Sequence, residues 1–275
     1  MISAGTRHRH PSLTDQLKRP IGGLARALLG VGKARPGRQD RGMTERFTWR
    51  PALPPQPRAL SGRWVRLEPL EPRRHAAALY EATHGPGHDP SLWEFMLVGP
   101  FTSRQDFARW LSACARSEDP LFFAIVDKKT GAQGMASYCR ISPGHGVVEL
   151  GNIFFAASLQ RSRSATEAIY LLLRYAFDRL GYRRVEWNCD SRNRRSSRAA
   201  RRFGFRFEGR FRQHMVVKGK SRDTAWFAML DRDWPGIDRA FRRWLAPRNF
   251  DRAGVQRRRL GARARGRGAE WPLHA

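Results

Sequence analysis

The clearest periodic signal in the chain lies between Ala165 and Leu180. Ala165, Ala168, Ile169, Leu172, Leu173, Ala176, Phe177 and Leu180 recur at spacings of three and four, which sets them on one face of an amphipathic helix. Ser164 and Glu167 have capping-box spacing at its start, and Gly181 follows as a stop. The apolar run from Val147 to Phe155 precedes it as a strand. Upstream, Trp64 to Glu68 alternates as a half-buried strand, and Pro72 suits the first turn of a helix reaching His84. Residues 85–100 read as a Gly- and Pro-rich loop. Its Trp93, Phe95 and Met96 either line a substrate mouth or pack beneath the loop. Ser103 and Asp106 open a second helix with Phe107, Trp110, Leu111 and Cys114 on its inner face.

Residues 122–127 and 132–141 form a hairpin around Lys128-Lys129-Thr130-Gly131. Pro143-Gly144-His145-Gly146 turns the chain into the strand before the long helix. Beyond that helix, residues 184–189 predict a strand and 191–203 a short helix stopped by Gly204. Residues 206–217 and 222–230 make a last hairpin around Lys218-Gly219-Lys220. Ile237, Phe241, Trp244 and Leu245 mark a terminal helix. The order is strand, two helices, three strands, helix, strand, helix, two strands. It implies an α/β (mixed α+β) domain with a central mixed sheet and helices on its faces.

The ends of the chain differ in composition. Residues 1–60 are basic and rich in Pro and Gly, and predict an arm and linker. Leu24, Ala25, Leu28 and Leu29 form at most a short helix within it, and PALPPQP (51–57) an extended segment. The Arg-rich, acid-poor start is transit-peptide-like in composition but is broken by glycines. Translation starting at Met43 is the plainer reading of residues 1–42, and detection of any peptide from them would exclude it. The folded domain is expected over 61–250, and an Arg/Gly-rich disordered tail over 251–275.

Lys and Arg number 52 against 24 Asp and Glu, a net charge of +28. The two ends carry about +12 of it, leaving about +16 on the middle. A surface of this sign attracts polyanions and steers anionic ligands, and it disfavours cationic polyamines as substrates. An Arg-rich background composition produces the same bias without any nucleic-acid role. Cys114, Cys139 and Cys189 are isolated, which argues against a disulfide framework or zinc site and fits a reducing, cytoplasmic setting. The histidines show no metal-ligand spacing, and no apolar stretch is long enough to span a membrane.

Candidate chemistry gathers before the long helix. Gln160, Arg161, Ser162 and Arg163 stand where free N–H groups and a helix dipole favour an anion. Residues 160–166 are therefore a candidate phosphate site, although many helices start this way and bind nothing.

At this point the chain resembles the GCN5-related N-acetyltransferases, and within them the RimJ/RimL-type branch. The element order agrees over roughly residues 61–233. Two motifs carry the likeness. The acyl-CoA pyrophosphate loop, Gln/Arg-x-x-Gly-x-Gly/Ala, appears as Gln160-Arg161-Ser162-Arg163-Ser164-Ala165. The late-helix pattern Asn-x-x-Ser with an apolar-Gly-Phe ending appears as Asn193-Arg194-Arg195-Ser196 and Phe203-Gly204-Phe205. Arg163 replaces the first loop glycine, and Ala200 stands where many members carry a general-acid tyrosine.

The resemblance implies transfer of acetyl from acetyl-CoA to an amine, without a metal. Backbone N–H groups from Arg161 through Ser162, Arg163, Ser164 and Ala165 to Thr166 would grip the pyrophosphate. The strand through Asn152–Phe155, with Phe154 and Phe155, would hold the pantetheine arm. Asn193 would order it by its side-chain amide, and Ser196 would either join it there or simply support the helix. Glu149, on the preceding strand, is the expected general base, the bland alternative being a strand carboxylate paired with an arginine. His145 and His214 are weaker candidates. Two other classes compete: a non-catalytic acyl-CoA-binding module, and a basic nucleic-acid- or ribosome-binding protein. A ribosomal protein is one possible partner, and the chain is expected to be a monomer or homodimer.

Overall fold

The computed structural model describes residues 48–262. The chain divides into Met1–Thr48 and Trp49–Ala275, and the fold is that of the second unit. The expectations for residues 1–42, and for the tail beyond Ala262, lie outside the described residues.

Eight strands form one sheet: β1 (Leu60–Ser61), β2 (Val65–Pro69), β3 (Leu121–Asp127), β4 (Gly131–Ser142), β5 (Val147–Phe155), β6 (Arg184–Asp190), β7 (Arg206–Val217) and β8 (Lys220–Leu230). Their order is β1-β2-β3-β4-β5-β6-β8-β7. Every pairing is antiparallel except β5 with β6. Five helices accompany it: α1 (Pro72–His84), α2 (Arg104–Ala115), α3 (Arg163–Arg174), α4 (Arg194–Phe203) and α5 (Trp234–Leu245). The fold class is the expected one, a mixed α/β domain.

Two apolar clusters flank the sheet. One joins Tyr138, Val148, Leu150, Val185, Trp187 and Phe227 to α3, α4 and α5. The other joins Phe122, Met135 and Phe154 to Leu79 of α1, Phe107 of α2 and Trp93. Because side chains alternate across a strand, Glu149, Glu186, Asn188 and Trp226 point to the face opposite the first cluster.

The long helix departs from its expected form in two ways. It changes to a π turn over Tyr175–Arg179 before Gly181 ends it. Its N-cap is Ser162, whose hydroxyl accepts from the Ala165 N–H, and not Ser164. Ser164 is buried and donates instead to the Asp127 carboxylate. Glu167 does not reach back to the cap. Its carboxylate accepts from the backbone N–H groups of Arg63, Trp64 and Val65, pinning the β1–β2 turn. Three converging backbone donors outcompete the single one a capping box offers. The helix is also buried on nearly every side from Ser164 to Leu173, since α5 covers the face turned away from the sheet.

Packing runs past both expected boundaries. Ala52 and Leu53 donate backbone N–H groups to the carbonyls of Pro143 and Leu180. At the other end Ala262 is buried, and Gln256 accepts from the Trp244 indole. Apolar side chains in a proline- or arginine-rich context carry this packing, and composition alone conceals them.

Candidate active site

β5 and β6 pair only over Val147–Glu149 against Arg184–Glu186. Beyond Glu149 and Glu186 the two strands continue side by side in the sheet order but share no further ladder. β5 stays on β4 as far as Phe155, and β6 stays on β8 as far as Asp190. A wedge therefore opens inside the sheet, lined by backbone groups with no strand partner across it. Irregular backbone marks its β5 side. Asn152 takes φ 51°, the register with β4 shifts between Met135 and Ser137, and the Asn152 amide donates to the Ser137 hydroxyl.

Glu149 stands where the wedge begins. Its side chain is 8% exposed. Arg140 Nη2 lies 2.6 Å from Oε2, and Asn188 Nδ2 donates to Oε1 at 2.7 Å. Burial pushes the Glu149 carboxyl up to about 7, with Arg140 opposing the rise and the Glu186 charge adding to it. Asn188 is oriented in turn by Arg222, whose Nη2 donates to Oδ1 at 2.9 Å. The paired-carboxylate alternative is thus realised in geometry, while the carboxyl still titrates in the range that general-base work needs.

Arg140 reaches Glu149 because β4 bulges there. The register with β5 shifts between Cys139 and Ser142, and Arg140 takes φ 49°. The extra residue re-aims the side chain, so that the guanidinium lies 4.2 Å above the Trp226 ring. Nη2 also contacts Glu186 Oε2 at 3.0 Å. Beyond this cluster a groove of about 310 Å³ is lined by Arg184, Glu186, Glu208, Gly209, Phe211 and Trp226. Among the described residues, the buried Nε of Arg222 and the indole N–H of Trp226 meet no hydrogen-bond acceptor.

The rim comes from distant parts of the chain. Lys218, in the β7–β8 turn, donates to the Trp93 carbonyl at 2.7 Å. Trp93 is buried against Phe154 and Phe107, so of the two readings of this loop residue packing holds. Asp89 accepts from Gln160, Arg195 and Ser91, and those bonds hold its carboxyl down at about 2. One carboxylate thereby joins the loop after α1, the turn before α3 and the start of α4.

The helix-start residues divide by role. Gln160 is a brace, its amide donating to Asp89 and to the Phe155 carbonyl. Arg161 takes φ 58°. Thr166 and Ala165 spend their N–H groups on Ser162, whereas those of Arg163 and Ser164 fall in the first turn, outside the intrahelical ladder. The Arg163 guanidinium lies over Trp64 and Phe250, at 5.1 and 5.6 Å from the ring centroids. Asn193 caps α4 by accepting from the Ser196 N–H, and the Ser196 hydroxyl accepts from the Trp187 indole. Ala200 is fully buried in the core. His214 lies beside Thr224, and burial together with Arg222 and Arg140 lowers its pKa. His145 sits in the turn before β5, in a different groove with Val147 and Arg183.

Asn188, Arg140, Arg222 and Trp226 were not among the expected site residues. Asn188 carried a legible signal, since it alternates with Trp187 and Cys189 toward the Glu149 face. Arg140 carried none, because a bulge cannot be read from alternation.

Residues 65–206 match the family described as the acetyltransferase (GNAT) domain. A GCN5-related N-acetyltransferase from Brucella melitensis, known from its crystal structure, is 45% identical, with 77% of this chain and 96% of that one covered and a TM-score of 0.74. The uncharacterized N-acetyltransferase p20 of Bacillus licheniformis is 26% identical over 156 residues, 54% of this chain and 85% of its own length. The crystal structure of RimL, a ribosomal L7/L12 alpha-N-protein acetyltransferase, covers 63% of this chain and 94% of its own at 18% identity and a TM-score of 0.55, a likeness of fold. The sheet that parts after three paired residues, the capped helix behind it and these matches agree: this chain belongs to the GCN5-related N-acetyltransferase family.

Proposed function

We propose that the chain transfers an acetyl group from acetyl-CoA to a primary amine by direct attack in a ternary complex, with Glu149 as general base. The observation that carries this reading is the position of Glu149, buried at the apex of the wedge with a carboxyl pKa of about 7. A carboxylate with that pKa takes a proton from an ammonium at neutral pH. The coenzyme supplies the activated thioester, and the chain's residues position it. The N–H groups of Arg163 and Ser164, at the α3 start, would hold the pyrophosphate. The β5 backbone along the wedge, Asn152 to Phe155, would hold the pantetheine arm, and an N–H there would polarise the thioester carbonyl.

The amine nitrogen bonds to the carbonyl carbon, the C–S bond breaks, and the thiolate leaves with a proton supplied by solvent. With alanine at 200, no side-chain acid stands on α4 at that position. Arg163, held on Trp64 and Phe250, supports the helix start through packing.

A protein N-terminal amine and a small-molecule amine both meet these requirements. The test is thiol release from acetyl-CoA over a panel of amines and N-terminal peptides, including ribosomal-protein N-termini, with the native chain and Glu149→Gln. Acetylated product in the native reaction, and turnover reduced by two orders of magnitude or more in the variant, support the proposal. Coenzyme binding without thiol release from any acceptor would overturn it.

A further inference from the structure

The Arg140 guanidinium is placed unlike an ordinary structural ion pair. A single nitrogen, Nη2, lies between Glu149 Oε2 at 2.6 Å and Glu186 Oε2 at 3.0 Å. Beneath it is the Trp226 ring, 4.2 Å from the guanidinium carbon. One cationic nitrogen between two carboxylate oxygens and over an indole face is the environment that an alkylammonium ion seeks. The two carboxylates do not depend on Arg140 to stay in place. Glu149 keeps Asn188 on Oε1, and Glu186 keeps Arg184 on Oε1 at 2.7 Å. Only the two Oε2 atoms, which face the same point, would lose a partner if Arg140 swung away.

Arg140 is the movable member of the cluster. Its side chain is 46% exposed, against 8% for Glu149 and 16% for Glu186. It springs from a bulge with φ 49°, a conformation that costs energy in a non-glycine residue. The groove lined by Phe211, Trp226 and Glu208 leads to it.

We propose that Arg140 is an internal stand-in for the acceptor: the ammonium nitrogen of the substrate takes the seat of Nη2 between Glu149, Glu186 and Trp226, and Arg140 swings into solvent to admit it. This rests on the reading of Glu149 as the base, and it names the acceptor as one that arrives as an alkylammonium. The seat selects for the local cation despite the basic surface around it, because two carboxylates and a ring act at contact distance. Recognition precedes chemistry. The ammonium is bound as a cation and then gives a proton to Glu149.

The test uses the full chain with 15N-labelled tryptophan, the Trp226 indole resonance being assigned through Trp226→Phe. Native protein and Arg140→Ala are titrated with propylammonium chloride, and in parallel with neutral 1-propanol at matched ionic strength. The expected result is a saturable shift of the Trp226 resonance in Arg140→Ala with propylammonium alone, about tenfold tighter than in the native chain. Adding Glu186→Gln to that variant should weaken the binding. No saturable shift in Arg140→Ala, the same response to propanol, or equal affinity in the native chain would overturn the proposal. Should Arg140→Ala fail to fold, Arg140→Gln keeps the stem without the charge and is read in the same way. Because the readout is binding, the two hypotheses separate. An occupied seat in a chain that acetylates no amine removes the proposed function, whereas acetyl transfer with an empty seat removes only this inference.

Discussion

Asn188 Nδ2 lies 2.7 Å from Glu149 Oε1, bridging β6 and β5 at the point where their ladder ends. The amide cannot turn over without setting its own oxygen against the carboxylate, and the bond from Arg222 to Oδ1 holds the other end. Replacing Asn188 with Leu removes a donor that favours the charged carboxylate, so the acid limb of the kcat/KM profile should move to higher pH. Asn188→Asp adds a like charge and should move it further. A profile that stays in place in both variants would make Asn188 a bystander.

In the native enzyme, kcat/KM should fall as pH drops through about 7, where Glu149 takes a proton. The same group has an opposite effect on stability. Its folded pKa is raised above the usual 4.5, so the stability it favours is full below 4.5 and is lost as pH rises through about 7. Urea titrations at pH 5 and pH 8 should show this loss in the native chain and a smaller one in Glu149→Gln.

Glu167 tests the fold apart from catalysis. It is buried and accepts three backbone N–H bonds from the β1–β2 turn. Glu167→Ala leaves those donors unpaired and should cost about 2–4 kcal/mol in chemical denaturation. Gly62→Ala should also destabilise, because a Cβ there would come within 2.3 Å of the Glu167 carboxyl carbon, and the three bonds prevent that group from yielding.

Ser162→Ala removes the N-cap of α3 and should cost about 1 kcal/mol of stability. If the helix start seats the coenzyme pyrophosphate, the variant should also lose coenzyme affinity in calorimetry. A loss confined to stability would confine Ser162 to the cap.

The three thiols bear on the assay itself. Burial pushes Cys114 up to about 12, and it raises Cys139 and Cys189 as well. A disulfide reagent that detects released coenzyme thiol should therefore react slowly with the native enzyme and count three groups only after denaturation. Prompt reaction of any of them with the folded chain would contradict this.

Periodicity made most of the fold legible. β2 to β8 and all five helices lie close to their expected spans, because each carries its own alternation or turn. Local spacing misled where a side chain had a distant alternative, as with Glu167, which left the capping position for the β1–β2 turn, and Ser164, which turned to Asp127. Glu149 was readable from its place before the helix. Of its partners, Asn188 was legible from the alternation of β6, whereas Arg140 was not, since it reaches Glu149 through a bulge that leaves no mark in neighbouring residues. Residues 49–60 read as linker because prolines hide the few apolar contacts that fasten them.

The wedge between β5 and β6 amounts to two sheet edges turned inward, sheltered from the intermolecular pairing that exposed edges invite. A slender chain with amide groups along its length can lie there as if it were a further strand. If the pantetheine arm does so, the enzyme without coenzyme is a sheet lacking one member, and its melting temperature should track coenzyme concentration. At a hundred times the dissociation constant the gain is about 2.7 kcal/mol, so the pool of acetyl-CoA would govern not only how fast this protein works but how long it lasts.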